Sequence, residues 1–103
     1  MSNNTRTRLT PDQRQLQILN AAIKIALDKG VYNFSIANVS RAIEDCSKAT
    51  IKHYFNMESL RTAVIVKAMQ DGHDSIVAQA ITMNHDAVSK LTTGQRRKYL
   101  NNV

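Results

Sequence analysis

Between Ser35 and Asn56 the chain places three residues that cap helices well, Ser35, Ser47 and Asn56, each followed by apolar side chains at helical spacing. An N-cap side chain accepts a hydrogen bond from a backbone N–H in the first turn, so each cap fixes where a helix begins. Caps this close together leave room only for short helices. Ile36, Val39 and Ile43 make one apolar stripe on a helix ending near Glu44, and Ile51, Tyr54 and Phe55 make another at i, i+3 and i+4. Two short helices separated by the break "EDC" form the helix-turn-helix pattern.

Longer helices flank this pair. Thr10-Pro11-Asp12-Gln13 is a helix start, with a hydroxyl cap, proline at the first helical position and glutamine placed to complete a capping box. Leu16, Leu19, Ala22, Ile23, Ala26 and Leu27 then mark one face of a helix from Pro11 to Lys29, and Gly30 can take the left-handed conformation that ends it. Asn56 caps a helix from Met57 to near Asp71, apolar on more than one side and so suited to burial by several neighbours; Gly72 ends it. Beyond lie a helix capped by Asp74 or Ser75, with Ile76, Val77, Ala80 and Ile81 on one face, a turn or two over residues 86–91, and a last helix, Gly94 to Asn101, capped by Thr93. "LTPDQR" at Leu9 and "LTTGQR" at Leu91 echo each other, a similarity of capping chemistry rather than a repeat. The expected fold class is all-α: a three-helix helix-turn-helix domain, a longer fourth helix and one to three short C-terminal helices. Its expected divisions are a flexible basic arm over residues 1–9, the helix-turn-helix domain over 10–71 and a helical extension with a basic tail over 72–103.

Composition bounds the function. A chain of 103 residues has room for one small domain. Its net charge of +6 is uneven: residues 1–14 carry Arg6, Arg8 and Arg14 against Asp12, residues 15–89 balance seven basic against seven acidic side chains, and Lys90, Arg96, Arg97 and Lys98 follow with no acid. A neutral body with basic ends suits a polyanion. The single cysteine, Cys46, cannot close a disulfide within the chain, and no apolar run serves as signal peptide or membrane span, so a cytoplasmic protein without a membrane partner is expected. Catalysis finds no support. His53, His73, His85 and Cys46 match no compact zinc spacing, Asp71, His73 and Asp74 are explained as a helix boundary, and phosphate loops and nucleophile motifs are lacking. No catalytic residue, metal site or cofactor is expected.

"ILNAAIKIALDKGVYNFSIANVS", Ile18 to Ser40, resembles the start of the TetR-family DNA-binding domain, whose pattern is roughly I-L-x-A-A-x-x-L-F-x-x-x-G, four variable residues, then T/S-h-x-x-I-A, with h apolar. Ile18, Leu19, Ala21, Ala22, Ile25, Gly30, Ser35, Ile36 and Val39 fall into it without a gap. "CSKATIKHYF" resembles the family's recognition-helix motif VSKGTLYHHF, with Ser47, Lys48, Thr50, His53 and Phe55 identical to it. The resemblance spans residues 12–70 and departs from the pattern in places. Glu44-Asp45 stands where the family usually turns on glycine, one residue longer; Lys52 replaces a common tyrosine, and the lysine that often opens the fourth helix is missing, with Met57 and Glu58 nearby and one residue fewer before Leu60. Asp45 tolerates a left-handed turn better than most residues. Family members usually carry a further C-terminal domain that dimerises and encloses an effector. The 30 or so residues after the matching region are too few to build it, so no small-molecule effector is expected.

The resemblance implies a sequence-specific regulator of transcription that binds double-stranded DNA, a repressor acting by occupying its operator. On a helix starting near Ser47, Ile51, Tyr54 and Phe55 face inward, Lys48, Ala49, Lys52 and His53 face outward, and Thr50 lies at the margin. Lysine or histidine there can donate to guanine or phosphate, and Ala49 or the Thr50 methyl can touch a thymine methyl. Ser35 and Ser47 would meet phosphates at helix starts, and Arg6 and Arg8 would follow an adjacent minor groove. Each has a plainer reading: the serines as caps, the lysines as solvated surface, His53 as a residue without a duty. Two copies would dimerise through residues 73–103 to reach paired half-sites. The competing expectation is a trimmed regulator that binds or inhibits another DNA-binding protein, with Ile76, Val77, Ala80 and Ile81 as its partner surface.

Overall fold

The structure, a computed structural model, describes residues 9–101. Six α-helices follow in order, α1 (Pro11–Lys29), α2 (Ile36–Ala42), α3 (Lys48–Tyr54), α4 (Met57–Asp71), α5 (Asp74–Thr82) and α6 (Thr93–Asn101), with one 3-10 turn (Asp86–Val88) between the last two. The described residues contain no strand, and the fold is all-α.

Local chemistry places the first four helices. Thr10 Oγ1 accepts from Gln13 N at 3.1 Å while Gln13 Oε1 accepts from Thr10 N at 2.9 Å, and Pro11 opens the helix where a missing N–H costs nothing. Asn56 and Ser59 make the same reciprocal pair at the start of α4. Gly30 ends α1 with φ 101° and ψ 146°, positive as expected but outside the left-handed helical region. The backbone there requires glycine, and a Cβ would in addition sit 2.9 Å from Asn33 Nδ2 and 3.3 Å from Gln79 Oε1, displacing the ends of those two side chains. Helix α2 stops at Ala42, two residues before the expected end, because Ile43 turns extended and buries its side chain. Asp45 follows at φ 59°, supplying the left-handed residue of the turn without glycine.

The inward face of α1 differs from the simplest periodic reading. Ile18, Ala22, Ile23 and Ala26 are buried, whereas Leu16 and Leu27 are 49% and 45% exposed. Ala22, Ile23 and Ala26 lie on the expected line with Leu19 packed beside them, Ile18 joins them, and Leu16 and Leu27 lie at the edge. Helix α4 packs on α1, α5 and the 3-10 turn, which is why Leu60, Val64, Ile65 and Ala68 are all buried.

The C-terminal segment is part of the same core. Ile76, Val77 and Ala80 of α5 and Val88 of the turn have no exposed surface and join the cluster formed by Ile18, Ile65 and Ala68. This overturns the stripe Ile76, Val77, Ala80 and Ile81 as a partner surface. The first three are consumed by the chain's own packing, and Ile81 is half-buried against it. Among the described residues of this segment, the large apolar side chains left exposed are Met83 and Leu100.

Polar contacts pin the segment down. Gln79 Oε1 accepts from Val31 N at 2.8 Å, and Arg61 Nε donates to Val31 O at 3.2 Å with its guanidinium 5.1 Å from the Tyr32 ring centre. Helix α5 ends on Asn84 at φ 56°, with His85 N donating to Ala80 O and Asn84 N to Ile81 O, the paired bonds of a Schellman ending. His73 stands at its N-cap position without a side-chain cap bond, and Asp74 and Ser75 lie inside the helix rather than at the expected cap. Helix α6 is capped by Thr92 rather than by Thr93: Gln95 N donates to Thr92 Oγ1 at 3.1 Å and Thr92 N to Gln95 Oε1 at 2.8 Å. Thr10–Gln13 and Thr92–Gln95 are therefore the same device, which explains the sequence echo. Among the described residues no helix is long and apolar enough to cross a membrane.

Candidate nucleic-acid interface

Helix α3 has two unlike sides. Ile51 is fully buried, and Tyr54 and the following Phe55 pack against the core. Lys48, Ala49, Lys52 and His53 are exposed, and Thr50 is intermediate. The helix is short enough that one buried isoleucine and a pair of half-buried aromatics anchor it, which leaves its opposite face free of packing duties. Lys48 and Lys52 take part in no ion pair among the described residues, so their ammonium groups are available. The His53 ring stands edge-on to Tyr54, centroids 4.9 Å apart at 86°, which fixes its direction from the anchored side.

The connection between α2 and α3 holds this face in place. Cys46 is buried and free, filling the turn, and Ser40 Oγ donates to the Cys46 carbonyl at 2.9 Å. The two short helices are thus tied at their junction by a side-chain bond as well as by the apolar contacts of Val39 and Ile51.

The two serines are largely engaged at home. Ser35 Oγ accepts from Asn38 N at 3.2 Å and donates to Asn38 Oδ1 at 3.0 Å. Ser47 Oγ accepts from Thr50 N and lies 3.1 Å from Thr50 Oγ1. Their capping role is built into the structure, and because a phosphate offers only acceptors, a contact with one would need the hydroxyl proton turned away from Asn38 or Thr50, or a backbone N–H of the first turn. Glu44 and Asp45 are exposed at the α2–α3 turn and put negative charge at one end of the basic face. Arg6 and Arg8 lie outside the described residues.

The C-terminal basic residues divide. Arg96 donates Nε to Leu91 O at 3.1 Å and Nη2 to Val88 O at 3.0 Å and Ser89 O at 3.4 Å, so its guanidinium closes the 3-10 turn. Lys90, Arg97 and Lys98 are exposed. Reading the whole tail as partner-binding overlooked that one arginine is structural. Its role was not legible locally, because its acceptors are carbonyls up to eight residues away in a turn of irregular shape.

Among the described residues no group of three or more His, Cys, Asp or Glu is placed to hold a metal ion. A concavity of about 520 Å³ between Tyr32, α5 and Leu100 is lined by uncharged side chains, with Tyr32, Asn33, Ser75, Gln79 and Thr82 supplying its polar groups. The Glu58–His85–Arg61 cluster was not singled out from sequence. Glu58 lies on α4 and His85 beyond α5, and only the folded chain brings their side chains to 2.9 Å. Compared with protein-family models, with curated proteins and with solved structures, the chain matches none.

Proposed function

We propose that the protein is a sequence-specific DNA-binding regulator of transcription, a repressor that excludes polymerase by occupying its operator, and that α3 is its reading element. The observation that carries this is the division of α3: Ile51 without exposed surface on one side, Lys48, Ala49, Lys52 and His53 in solvent on the other. A short helix with small residues near its start can approach base edges closely, and unpaired lysines beside it supply donors for guanine or phosphate. The resemblance of residues 12–70 to the TetR-family DNA-binding domain supports the same reading. So does the charge, since a neutral body with basic ends is the electrostatic outline of a protein that grips phosphates on either side of a base-reading element.

In this reading Ser35 and Ser47 position helix starts against the backbone, Thr50 and Ala49 supply apolar contact, and Arg6 and Arg8 extend along a minor groove. Two copies engage half-sites, meeting through residues 73–103, and with Ile76, Val77 and Ala80 in the core the contact falls to the exposed Met83 and Leu100. Association with the nucleoid follows from DNA binding. The competing interaction-protein reading loses the stripe on which it rested.

The test is selection of bound duplexes from a random library at moderate salt. Enrichment of a defined site supports the proposal, and a palindromic one supports paired copies as well. Recovery of no enriched sequence would overturn it.

A further inference from the structure

His85 is placed to respond to protons. Its imidazole has two partners of different kinds. Nδ1 accepts a hydrogen bond from Ala87 N at 3.0 Å, which closes the head of the 3-10 turn, and Nε2 lies 2.9 Å from Glu58 Oε2 on α4. An atom that accepts from an amide cannot carry a proton of its own, so the ring in this arrangement is neutral with its hydrogen on Nε2. The side chain is 9% exposed, which leaves little room for water to replace either partner.

The groups facing the ring set the balance. From α4 come Glu58 and Arg61, joined to each other at 2.9 Å; from the segment after α1 comes the Tyr32 ring, edge-on at 6.5 Å between centroids; Asp86 follows in the turn itself. The Glu58 carboxylate is shared between the imidazole and the Arg61 guanidinium, at 2.9 Å from each. The contact with Glu58 uses Nε2–H in either protonation state. The cost of protonation therefore falls on the other side, where a new Nδ1–H would point at the Ala87 N–H.

The 3-10 turn is also where α6 is moored, because Val88 O, Ser89 O and Leu91 O are the acceptors of Arg96. We infer that His85 is a proton-sensitive latch: neutral, it holds the 3-10 turn closed, and uptake of a proton at Nδ1 opens the turn and loosens the seat of α6 while His85 stays attached to α4 through Glu58. This inference stands whether or not the protein binds DNA.

Nuclear magnetic resonance on the intact ¹⁵N-labelled chain tests it. At about pH 8 the His85 imidazole should carry its proton on Nε2 and none on Nδ1; on lowering the pH to about 5, Nδ1 should become protonated. Over the same interval the hydrogen-exchange protection factor of the Ala87 amide should fall about fivefold, as expected for loss of one internal hydrogen bond, with α6 amides such as Tyr99 following and Val64 and Ile65 of α4 unchanged. His85→Asn keeps an oxygen placed to accept from the N–H two residues on but cannot titrate, so its Ala87 protection should not depend on pH. A proton on Nδ1 at the upper pH, equal protection of Ala87 at both pH values, or a pH dependence that survives in His85→Asn would each overturn the inference. The first two measurements need no variant.

Discussion

A lysine beside a buried isoleucine acquires meaning from what else claims its charge. Lys48 and Lys52 are exposed and unpaired among the described residues, and the helix they stand on is anchored by Ile51, so either can be removed without disturbing the packing. Lys48→Ala and Lys52→Ala should each leave the thermal midpoint within a degree or two while weakening binding to a selected duplex, by about 1–3 kcal/mol with loss of preference at one position where a base contact is lost. Where the contact is to phosphate, affinity should fall for all sequences alike and the slope of log affinity against log salt should shrink by about one. Titrating binding at several salt concentrations separates the cases, and unchanged affinity in both variants would remove α3 from the interface. Ile51→Ala is the complement: it deletes a fully buried side chain and should cost about 2–5 kcal/mol of stability in a denaturant melt. The sequence made this division readable because i, i+3, i+4 spacing on a two-turn helix leaves only one way to bury three apolar residues.

Helix starts were legible where the capping bond is local. Thr10, Ser35, Ser47 and Asn56 each bond to the N–H three residues on, a contact written within four consecutive residues. Thr92 was missed in favour of Thr93 although its echo with Thr10 pointed to it, since glutamine follows each at the same distance. Thr92→Ala should therefore destabilise α6 by about 1 kcal/mol and Thr93→Ala by much less, measurable as amide exchange in residues 95–101. What no local reading could supply were the bonds between elements: Gln79 to the Val31 amide, Arg61 to its carbonyl, His85 to Glu58. Each joins groups 27 to 48 residues apart and exists only once α4, α5 and the end of α1 are packed together. One of them gives a pH dependence with a definite sign. The hydrogen bond from His85 holds the Glu58 carboxyl below the ordinary range, with slight burial opposing and Arg61 reinforcing. A carboxyl depressed on folding contributes stability that is present above its unfolded value and lost as pH falls through its folded one. Stability should thus drop on acidification below the normal glutamate range, and Glu58→Gln should flatten that part of the curve in urea melts; an unaltered acid limb would show that the pair contributes nothing.

The molecule as a whole bears on the division expected at residue 72. A helix-turn-helix domain with a detachable extension would keep its own core after the extension is removed. Here Ile76, Val77, Ala80 and Val88 lie in one cluster with Ile18, Leu60 and Ala68, and the loop after α1 depends on Gln79 for a buried amide partner. Fully burying a side chain such as isoleucine or valine is worth about 1.5–3 kcal/mol, so α5 and the turn together contribute an amount comparable with the whole of a small domain's net stability of about 5–15 kcal/mol. Residues 1–72 alone should fail to fold cooperatively, losing helical signal and a sharp thermal transition. Ile76→Asp in the full chain should do the same by placing an unpaired carboxylate in the core. Replacing the exposed Met83 and Leu100 with aspartate should leave the melt near that of the parent. The pairing of these variants separates two uses of the C-terminal segment. If Ile76→Asp unfolds the protein while Met83→Asp and Leu100→Asp remain folded but sediment as a smaller species than the parent, the inner face of α5 builds the domain and its outer edge joins copies. A folded, cooperative fragment of residues 1–72 would contradict the single core directly and would free the inner face of α5 to serve a partner after all.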